Sequence, residues 1–103
     1  MPLINVRTSV VHIDESELLL KELSSELSAL TGKPEIYVMT LLETSVPMTF
    51  AGTTEPCCFV EIKSIGSLAP EKMASIFCKL IERRTGIACD RIYIQFELSL
   101  IHI

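Results

Sequence analysis

The sequence predicts an α+β fold in which two β-α-β repeats form one four-stranded mixed sheet with both helices on one face. The first observation is a repeat: a strand-like, a helix-like and a second strand-like apolar pattern follow one another twice along the 103 residues. The second is a glycine after each helical pattern, at Gly32 and Gly86. The third is length, because a chain of about 100–150 residues usually makes one domain. We therefore expect residues 1–103 to form a single domain.

The first half of the chain contains a strand, a helix and a second strand. Residues 3–10 alternate with period two, as a strand does. Asp14 and Glu17 resemble a helix N-cap with its capping partner, and residues 31–34 end that helix. The predicted apolar stripe of the helix is Leu19, Leu20, Leu23, Leu27 and Leu30. Residues 36–42 are almost continuously apolar, which predicts a strand covered on both faces.

The second half repeats this pattern after a loop at residues 43–56. A strand is predicted at residues 57–63, a turn at 64–66, a helix at 70–84 and a strand at 91–98. The predicted apolar stripe of this helix is Met73, Ile76, Phe77, Leu80 and Ile81. The sheet face away from the helices then needs a cover, so we expect an oligomer.

Composition and charge narrow the classes of function. The chain is 49% hydrophobic, which is rich for its size and again favours an oligomer. A net charge of −4 argues against a nucleic-acid partner, because phosphate binding needs an excess of Lys and Arg. No apolar run approaches the ~20 residues that span a membrane. The first residues do not resemble a signal peptide, so a cytoplasmic location is expected; secretion without a signal peptide stays open.

The cysteines are expected to be reduced thiols, most of them small core residues. They are Cys57, Cys58, Cys78 and Cys89. Adjacent cysteines cannot chelate a metal as a C-x-x-C pair does, and His12 and His102 are the two imidazoles of the sequence. We therefore predict neither a metal site nor a cofactor.

Pro2 stands directly behind Met1. If Met1 is removed, Pro2 becomes a chain terminus with a secondary amine. An α-amino group has a pKa of about 7.7–8.0, and burial or a nearby cation lowers that pKa, so a buried terminal proline can act as a neutral base at pH 7. The alternative is that Pro2 only starts a strand, where its missing N–H costs nothing. Position alone favours this second interpretation.

Several short segments together resemble the macrophage migration inhibitory factor family of the tautomerase superfamily. They are Pro2, Gly32-Lys33-Pro34, Tyr37, Ser64-Ile65-Gly66, Asp90-Arg91-Ile92-Tyr93-Ile94 and the loop at residues 47–56. The resemblance covers residues 1–97 in one register and is closest to microbial members. It implies the tautomerase fold, a ferredoxin-like arrangement assembled as a homotrimer, with active sites at the subunit interfaces.

The resemblance also implies an activity, the interconversion of keto and enol forms of arylpyruvates and dopachrome-like compounds. Pro2 would be the catalytic base. Lys33 would bind the substrate carboxylate, and the backbone N–H of Ile65 would bind a substrate oxygen. Tyr93 and Gln95 would reach the pocket of a neighbouring subunit. Gln95 departs from the asparagine that the family carries at this position, which puts its contribution in doubt.

Several residues of these segments also have a purely structural interpretation. Lys33 follows a helix C-terminus, where a cation compensates the helix dipole. Ile65 fits an ordinary turn. Tyr37 would line the aryl pocket, although a strand tyrosine is more often a core or interface residue, and Phe50 has the same ambiguity. Lys63, before the predicted turn, is more simply a solvated strand position.

Two departures from the family matter. Vertebrate members carry a C-x-x-C pair, whereas this chain has Cys57-Cys58-Phe59-Val60, so no thiol oxidoreductase activity is predicted. Family members also continue for about one more strand. Residues 98–103 can be encoded by a transposon end used in sequencing adapters, and we hypothesise that they are a non-native tail. The alternative is a short natural strand.

Three functions of different classes therefore compete. The first is a cofactor-free tautomerase that uses Pro2. The second is a cytokine-like or host-interaction protein that binds a protein receptor and whose pocket is vestigial. The third is a small ferredoxin-like regulatory module that shares only the architecture, since fold alone does not fix function. The grouping of Pro2, Lys33, Ile65 and Tyr93 favours the enzyme.

Overall fold

The computed structural model describes residues 2–65 and 68–98. In chain order its elements are β1 (Leu3–Thr8), α1 (Ser16–Thr31), a 3-10 turn (Glu35–Tyr37), β2 (Met39–Glu43), β3 (Cys58–Ser64), α2 (Pro70–Thr85), a second 3-10 turn (Cys89–Arg91) and β4 (Ile92–Leu98). The strands form one sheet in the order β2-β1-β3-β4. β1 is parallel to β2 and antiparallel to β3, and β3 is parallel to β4. The predicted pair of β-α-β repeats is confirmed.

Parts of the sequence-based predictions fall on residues that lie outside this description. They are Met1, Gly66 of the predicted turn and residues 99–103 of the predicted tail. Leu98 is the last residue of β4. The two described helices have 16 residues each, and neither is long and apolar enough to cross a membrane.

One face of the sheet packs against both helices and forms the core. Inward positions alternate along the strands, as period-two patterning requires. The fully buried core side chains include Ile4 and Val6 of β1, Val60 and Ile62 of β3, Leu19, Leu23 and Leu27 of α1, and Phe77 and Ile81 of α2. Leu20, Leu30 and Ile76 of the predicted stripes are only partly buried. The apolar patterns therefore identified the correct helix faces and slightly overestimated their width.

The two helices end as the sequence predicts. Gly32 and Gly86 adopt left-handed backbone angles, with φ of 71° and 78°. Their N–H groups donate to the carbonyl oxygens of Ser28 and Glu82, which would otherwise lack a partner at the helix end. A side chain at either position would be strained, because Cβ disfavours positive φ. Each glycine thus turns the chain out of its helix and towards the next strand.

The predicted N-cap of α1 is wrong. The helix begins at Ser16, after Glu15 takes a left-handed conformation with φ of 54°, and no side chain in the described part of the chain caps it. Asp14 lies outside the helix, and its carboxylate pairs with Nε2 of His12 at 3.0 Å. The reason is the turn at Glu15, which places Asp14 one residue too early to reach the first N–H groups of the helix.

The second strand is shorter than predicted and lies at an edge of the sheet. Pro34 has φ of −59° and ψ of 145°, and its carbonyl accepts the N–H of Tyr37 at 3.0 Å. This bond closes the 3-10 turn, so Ile36 is 83% exposed and the strand begins at Met39. Met39 and Leu41 are exposed, which contradicts a strand covered on both faces.

The second face of the sheet carries no helix in the described residues. Asn5 lies at its centre, where it pairs in register with Leu41 of β2 and Glu61 of β3. The Asn5 side chain is 8% exposed, and its Oδ1 atom has no hydrogen-bond partner among the described residues. An unpaired buried carbonyl costs about 1–3 kcal/mol. A hydrogen-bond donor brought to this face would therefore remove that cost.

An ionic cluster joins the two helices on the outside of the core. The carboxylate of Glu22 on α1 accepts hydrogen bonds from Nη2 of Arg84 and, at 3.4 Å, from Nη2 of Arg83 on α2. Glu15 lies 3.6 Å from Nη1 of Arg84. The hydrogen bond from Arg84 lowers the pKa of Glu22 below its ordinary value. A carboxyl with a lowered folded-state pKa stabilises the fold above its unfolded-state pKa, and this contribution is lost as the pH falls through the folded-state value.

We expect Glu22→Gln to lower the free energy of unfolding at pH 7 and to flatten its fall in acid. The difference between variant and wild type should shrink below pH about 4, where the unfolded chain binds its protons. Urea unfolding at pH 7, 5 and 3 measures it. Glu26→Gln is the matched control, because Glu26 lies on the same helix and makes no ion pair in the described part of the chain. An equal effect of both substitutions would contradict the assignment.

Candidate functional site

Pro2 is fully buried at the entrance to β1. Its carbonyl oxygen accepts the N–H of Met39 at 3.1 Å, which fastens the start of β1 to the start of β2. Proline donates no N–H, and the ladder begins at Leu3, so no strand pairing is lost. The ring is therefore held in place by packing on its side chain and by one backbone bond.

The strand directions bring three chain segments to one end of the sheet. Leu3 pairs with Met39 of the parallel β2 and with Lys63 of the antiparallel β3. The start of β1 therefore lies beside the start of β2 and the end of β3. Pro2 precedes Leu3, and Ile65 follows the end of β3. These residues meet at that end with the connection from α1 to β2, which carries Lys33 and Tyr37.

A cavity of about 330 Å³ opens at this end of the sheet. Its lining residues are Lys33, Pro34, Tyr37 and Ile65. Lys33 is placed there by the left-handed turn at Gly32, and its carbonyl accepts the hydroxyl of Ser28 at 2.5 Å. Tyr37 is 51% exposed at the end of the 3-10 turn. The cavity thus combines one cation, one phenol and an apolar wall beside a buried proline.

Three of the six predicted site residues line this cavity, and Pro2 lies at the same end of the sheet. The other two, Tyr93 and Gln95, do not. They lie on β4 and are exposed on the face without helices, with Tyr93 56% exposed. Tyr93 stands level with Phe59 and Arg7, five residues along β1 from Pro2. Five extended residues span about 17 Å, so one chain alone cannot bring Tyr93 to Pro2.

Tyr93 belongs to a small aromatic cluster instead. Its ring centroid lies 5.8 Å from that of Phe59 and 6.5 Å from that of Phe50, the latter edge to face. Edge-to-face pairs of this kind contribute about 0.5–1.5 kcal/mol beyond the area they bury. Phe50, ambiguous from the sequence, therefore supports Tyr93 on β4 and does not line the cavity at Lys33.

Arg91 holds a loop in place, a role that its sequence context does not predict. Its guanidinium donates to the carbonyl oxygens of Phe50 at 2.7 Å, Glu55 at 2.8 Å and Pro56 at 3.3 Å. The same group lies 5.3 Å from the centroid of the Phe50 ring, a cation–π contact. Arg91 therefore binds the loop between β2 and β3 to the start of β4 and holds Phe50 against Tyr93. The only sequence signal was the Asp-Arg pair inside the family-like segment, which does not reveal carbonyl acceptors.

Replacing Arg91 by alanine is expected to lower the free energy of unfolding by about 1–3 kcal/mol, since it removes charge-assisted bonds to three carbonyls. Arg91→Lys is the matched control: it keeps the charge but loses the planar fork, so it should recover only part of the loss. Urea unfolding monitored by tyrosine fluorescence measures both. We call these three hydrogen bonds the clamp at Arg91. Identical unfolding of wild type and Arg91→Ala would show that the clamp does not stabilise the fold.

A second and larger concavity, of about 650 Å³, lies between the loops that follow β1 and β2. Its lining includes Ser9, Val11, Ser45, Val46, Pro47, Met48, Thr49 and Thr54. Among the described residues, its lining has hydroxyl and apolar groups and no charged side chain. A carboxylate ligand would find no cation there, so the smaller cavity at Lys33 is the better candidate for an acidic substrate.

The adjacent cysteines contribute no reactive thiolate. Cys57 and Cys58 are 1% and 2% exposed. Burial raises the pKa of Cys58 to about 12, because a low-dielectric surrounding disfavours the thiolate. Both are free thiols, as are the partly buried Cys78 and Cys89. The first pair thus fits the prediction of small core residues, whereas the second pair lies nearer the surface.

Comparisons with known proteins agree with this architecture. The family model described as macrophage migration inhibitory factor matches residues 1–100. Relatives called macrophage migration inhibitory factor from Meriones unguiculatus and Rattus norvegicus are 34% and 33% identical over 99 residues, which cover 93% of this chain and 86% of theirs. The crystal structure of a homologue from Prochlorococcus marinus is 51% identical with a TM-score of 0.90, over 94% of this chain and 88% of that one.

Proposed function

The chain belongs to the macrophage migration inhibitory factor family, and from this premise we propose that it is a cofactor-free keto–enol tautomerase of arylpyruvates such as phenylpyruvate. The proposed base is the amine of Pro2 after Met1 has been removed. The observation that carries the proposal is the position of Pro2. It is fully buried at the sheet end where Lys33, Tyr37 and Ile65 line one cavity.

The proposed reaction needs one group that both accepts and donates a proton. The secondary amine of Pro2 takes a proton from the carbon next to the substrate carbonyl, the resulting enolate oxygen takes a proton from water, and the protonated amine releases its proton to the solvent, which restores the neutral base. In the reverse direction the protonated amine returns a proton to the same carbon. General acid–base catalysis by one positioned group contributes about 10²–10⁴-fold to a rate. Burial favours the neutral amine, which is the form that can act as a base.

Lys33 would bind the carboxylate of the substrate. Its position in the cavity wall places an ammonium group where an arylpyruvate would enter. The same positive charge would disfavour protonation of a neighbouring amine and so help to keep Pro2 neutral. Lys33 also follows the C-terminus of α1, where it compensates the helix dipole, so the two roles are compatible.

Ile65 and Tyr37 would complete the cavity on the substrate side. Ile65 follows the last residue of β3, where strand pairing ends, and its backbone N–H would bind a substrate oxygen. Tyr37 would contact the aryl ring, since its half-exposed ring forms part of the cavity wall. An arylpyruvate has one carboxylate, one carbonyl and one ring, and each would then have its own partner.

Tyr93 and Gln95 would join the site from a neighbouring subunit of a homotrimer. Both are exposed on the sheet face without helices, on an edge strand that is free in the described chain. Their phenol and amide groups could donate to an enolate oxygen once another chain approaches. A separated chain would keep Pro2 and Lys33 but lack these donors.

The proposal is tested by assaying the purified protein for phenylpyruvate tautomerisation, with its intact mass measured on the same sample. Turnover is expected from protein that has lost Met1. Folded protein without Met1 and without turnover would reject the enzyme in favour of the interaction protein. Receptor binding that survives substitution of Pro2 would support that second function.

A further inference from the structure

Two thiols lie beside one carboxylate at the C-terminal half of α2. Cys78 and Glu82 stand four residues apart, so their side chains share a face of the helix. Cys89 begins the 3-10 turn before β4; its Sγ donates to Oε1 of Glu82 at 3.5 Å, and its backbone N–H donates to Oε2 at 3.3 Å. Both thiols therefore flank the carboxylate of Glu82, Cys78 from one helical turn before it and Cys89 through the hydrogen bond of its Sγ. Both are free and partly buried.

We propose that Cys78 and Cys89 form a reversible oxidation site, at which a low-molecular-weight disulfide such as oxidised glutathione converts the two thiols into one intramolecular disulfide. The thiolate of Cys78 attacks one sulfur of the reagent, whose S–S bond breaks and releases one glutathione thiol. The thiolate of Cys89 then attacks the sulfur of Cys78 in the mixed disulfide and releases the second. The protein loses two electrons and two protons, and the reagent gains them as two thiols.

The surroundings of the two thiols set the order of these steps. Burial raises the pKa of Cys78, and the neighbouring Cys89 opposes that rise. Burial raises the pKa of Cys89 to about 11, and the charge of Glu82 adds to the rise. The hydrogen bond to Glu82 holds the proton on Cys89, whereas Cys78 makes no such bond among the described residues, so Cys78 is assigned as the attacking thiol and Cys89 as the resolving thiol. Oxidation is expected to be slow at pH 7 and faster at higher pH, because the thiolate is the nucleophile.

The two remaining cysteines make the site selective. Cys57 and Cys58 are buried in the core, out of reach of a tripeptide disulfide. The new bond would connect α2 directly to the turn Cys89–Arg91. Arg91 is the last residue of that turn, and its guanidinium binds the loop between β2 and β3. Oxidation would therefore restrict the motion of the turn and stabilise the clamp at Arg91. This inference does not depend on the proposed tautomerase activity.

The experiment incubates the reduced full-length chain with oxidised glutathione at pH 7 and pH 9, traps free thiols with N-ethylmaleimide, and maps the peptides by mass spectrometry. The expected product is lighter by two hydrogens, with a peptide pair joined through Cys78 and Cys89 and alkylated Cys57 and Cys58. It should form at least about tenfold faster at pH 9, since the thiolate fraction grows tenfold per pH unit below the thiol pKa. Stable glutathione adducts on both surface thiols, or a bond that includes Cys57 or Cys58, would overturn the proposal.

Two variants sharpen this test. Cys89→Ser removes the resolving thiol, so a glutathione adduct should accumulate on Cys78. Glu82→Gln keeps an acceptor of similar shape but removes the charge that disfavours both thiolates, so the bond should form severalfold faster. An unchanged or slower rate in Glu82→Gln would contradict the assigned geometry. The wild-type peptide map decides the proposal even if a variant fails to fold.

Discussion

Pro2→Ala, in protein that has lost Met1, is expected to lower kcat for phenylpyruvate by at least about 100-fold. The proline ring nitrogen is fixed by a fully buried side chain and by the bond from the N–H of Met39 to the Pro2 carbonyl. A terminal alanine offers a primary amine that rotates freely in the space left by the ring. Steady-state kinetics with the intact mass of each sample measures the effect.

Two controls separate the amine from the ring. Pro47→Ala removes a proline from the loop after β2 and should leave kcat unchanged. Insertion of one alanine before Pro2 keeps the ring but converts its nitrogen into an amide, so activity should fall as far as in Pro2→Ala. Full activity in the insertion variant would show that another group is the base.

The second large effect is expected from mixing two inactive variants. Pro2→Ala would lack the proposed base, and Tyr93→Phe combined with Gln95→Ala would lack the proposed donors; removal of such donors costs about 10²–10³ in kcat. Because Tyr93 lies about 17 Å along the sheet from the level of Pro2 in the same chain, the two must come from different chains to act together. When the two variants assemble at random from a 1:1 mixture, half of the sites have an intact Pro2, and half of those have an intact neighbouring Tyr93 and Gln95. The mixture should therefore recover about a quarter of wild-type activity.

The mixture must be reassembled from dissociated subunits, and native mass spectrometry reports whether mixed trimers have formed. Recombined wild-type protein is the control for losses during reassembly. Mixed trimers without recovered activity would place all catalytic groups on one chain. A protein that stays monomeric and yet turns over substrate would reject the shared site altogether.

Regular parts of the fold were predictable because their signals are local. Apolar spacing of 3.6 residues located both helices, and Gly32 and Gly86 marked their ends. The N-terminus of α1 could not be predicted in this way, since the left-handed turn at Glu15 moves Asp14 out of capping range. The 3-10 turn at Glu35–Tyr37 was missed because a run of apolar residues does not show that Ile36 points to solvent.

The candidate site was predictable only through the family resemblance. Nothing in local spacing relates Pro2 to Lys33 or Ile65; the strand order that brings them to one sheet end is a property of the whole fold. The clamp at Arg91 was beyond sequence analysis, because its acceptors are backbone carbonyls that every residue carries. The placement of Cys78 and Cys89 around Glu82 was missed for a related reason, since a helix and a later turn must first pack together.

β1 is an inner strand, and the strands that pair with it, β2 and β3, are synthesised after it. Leu3 pairs with Met39 and with Lys63, so β1 stays unpaired on one or both sides until more than half of the chain has emerged from the ribosome. Pro2 becomes buried only when those partners arrive. Removal of Met1, on which the proposed base depends, must therefore take place before the sheet forms. The fraction of chains with a free Pro2 amine would then depend on the rate of the aminopeptidase relative to the rate of folding, and slower folding would increase it.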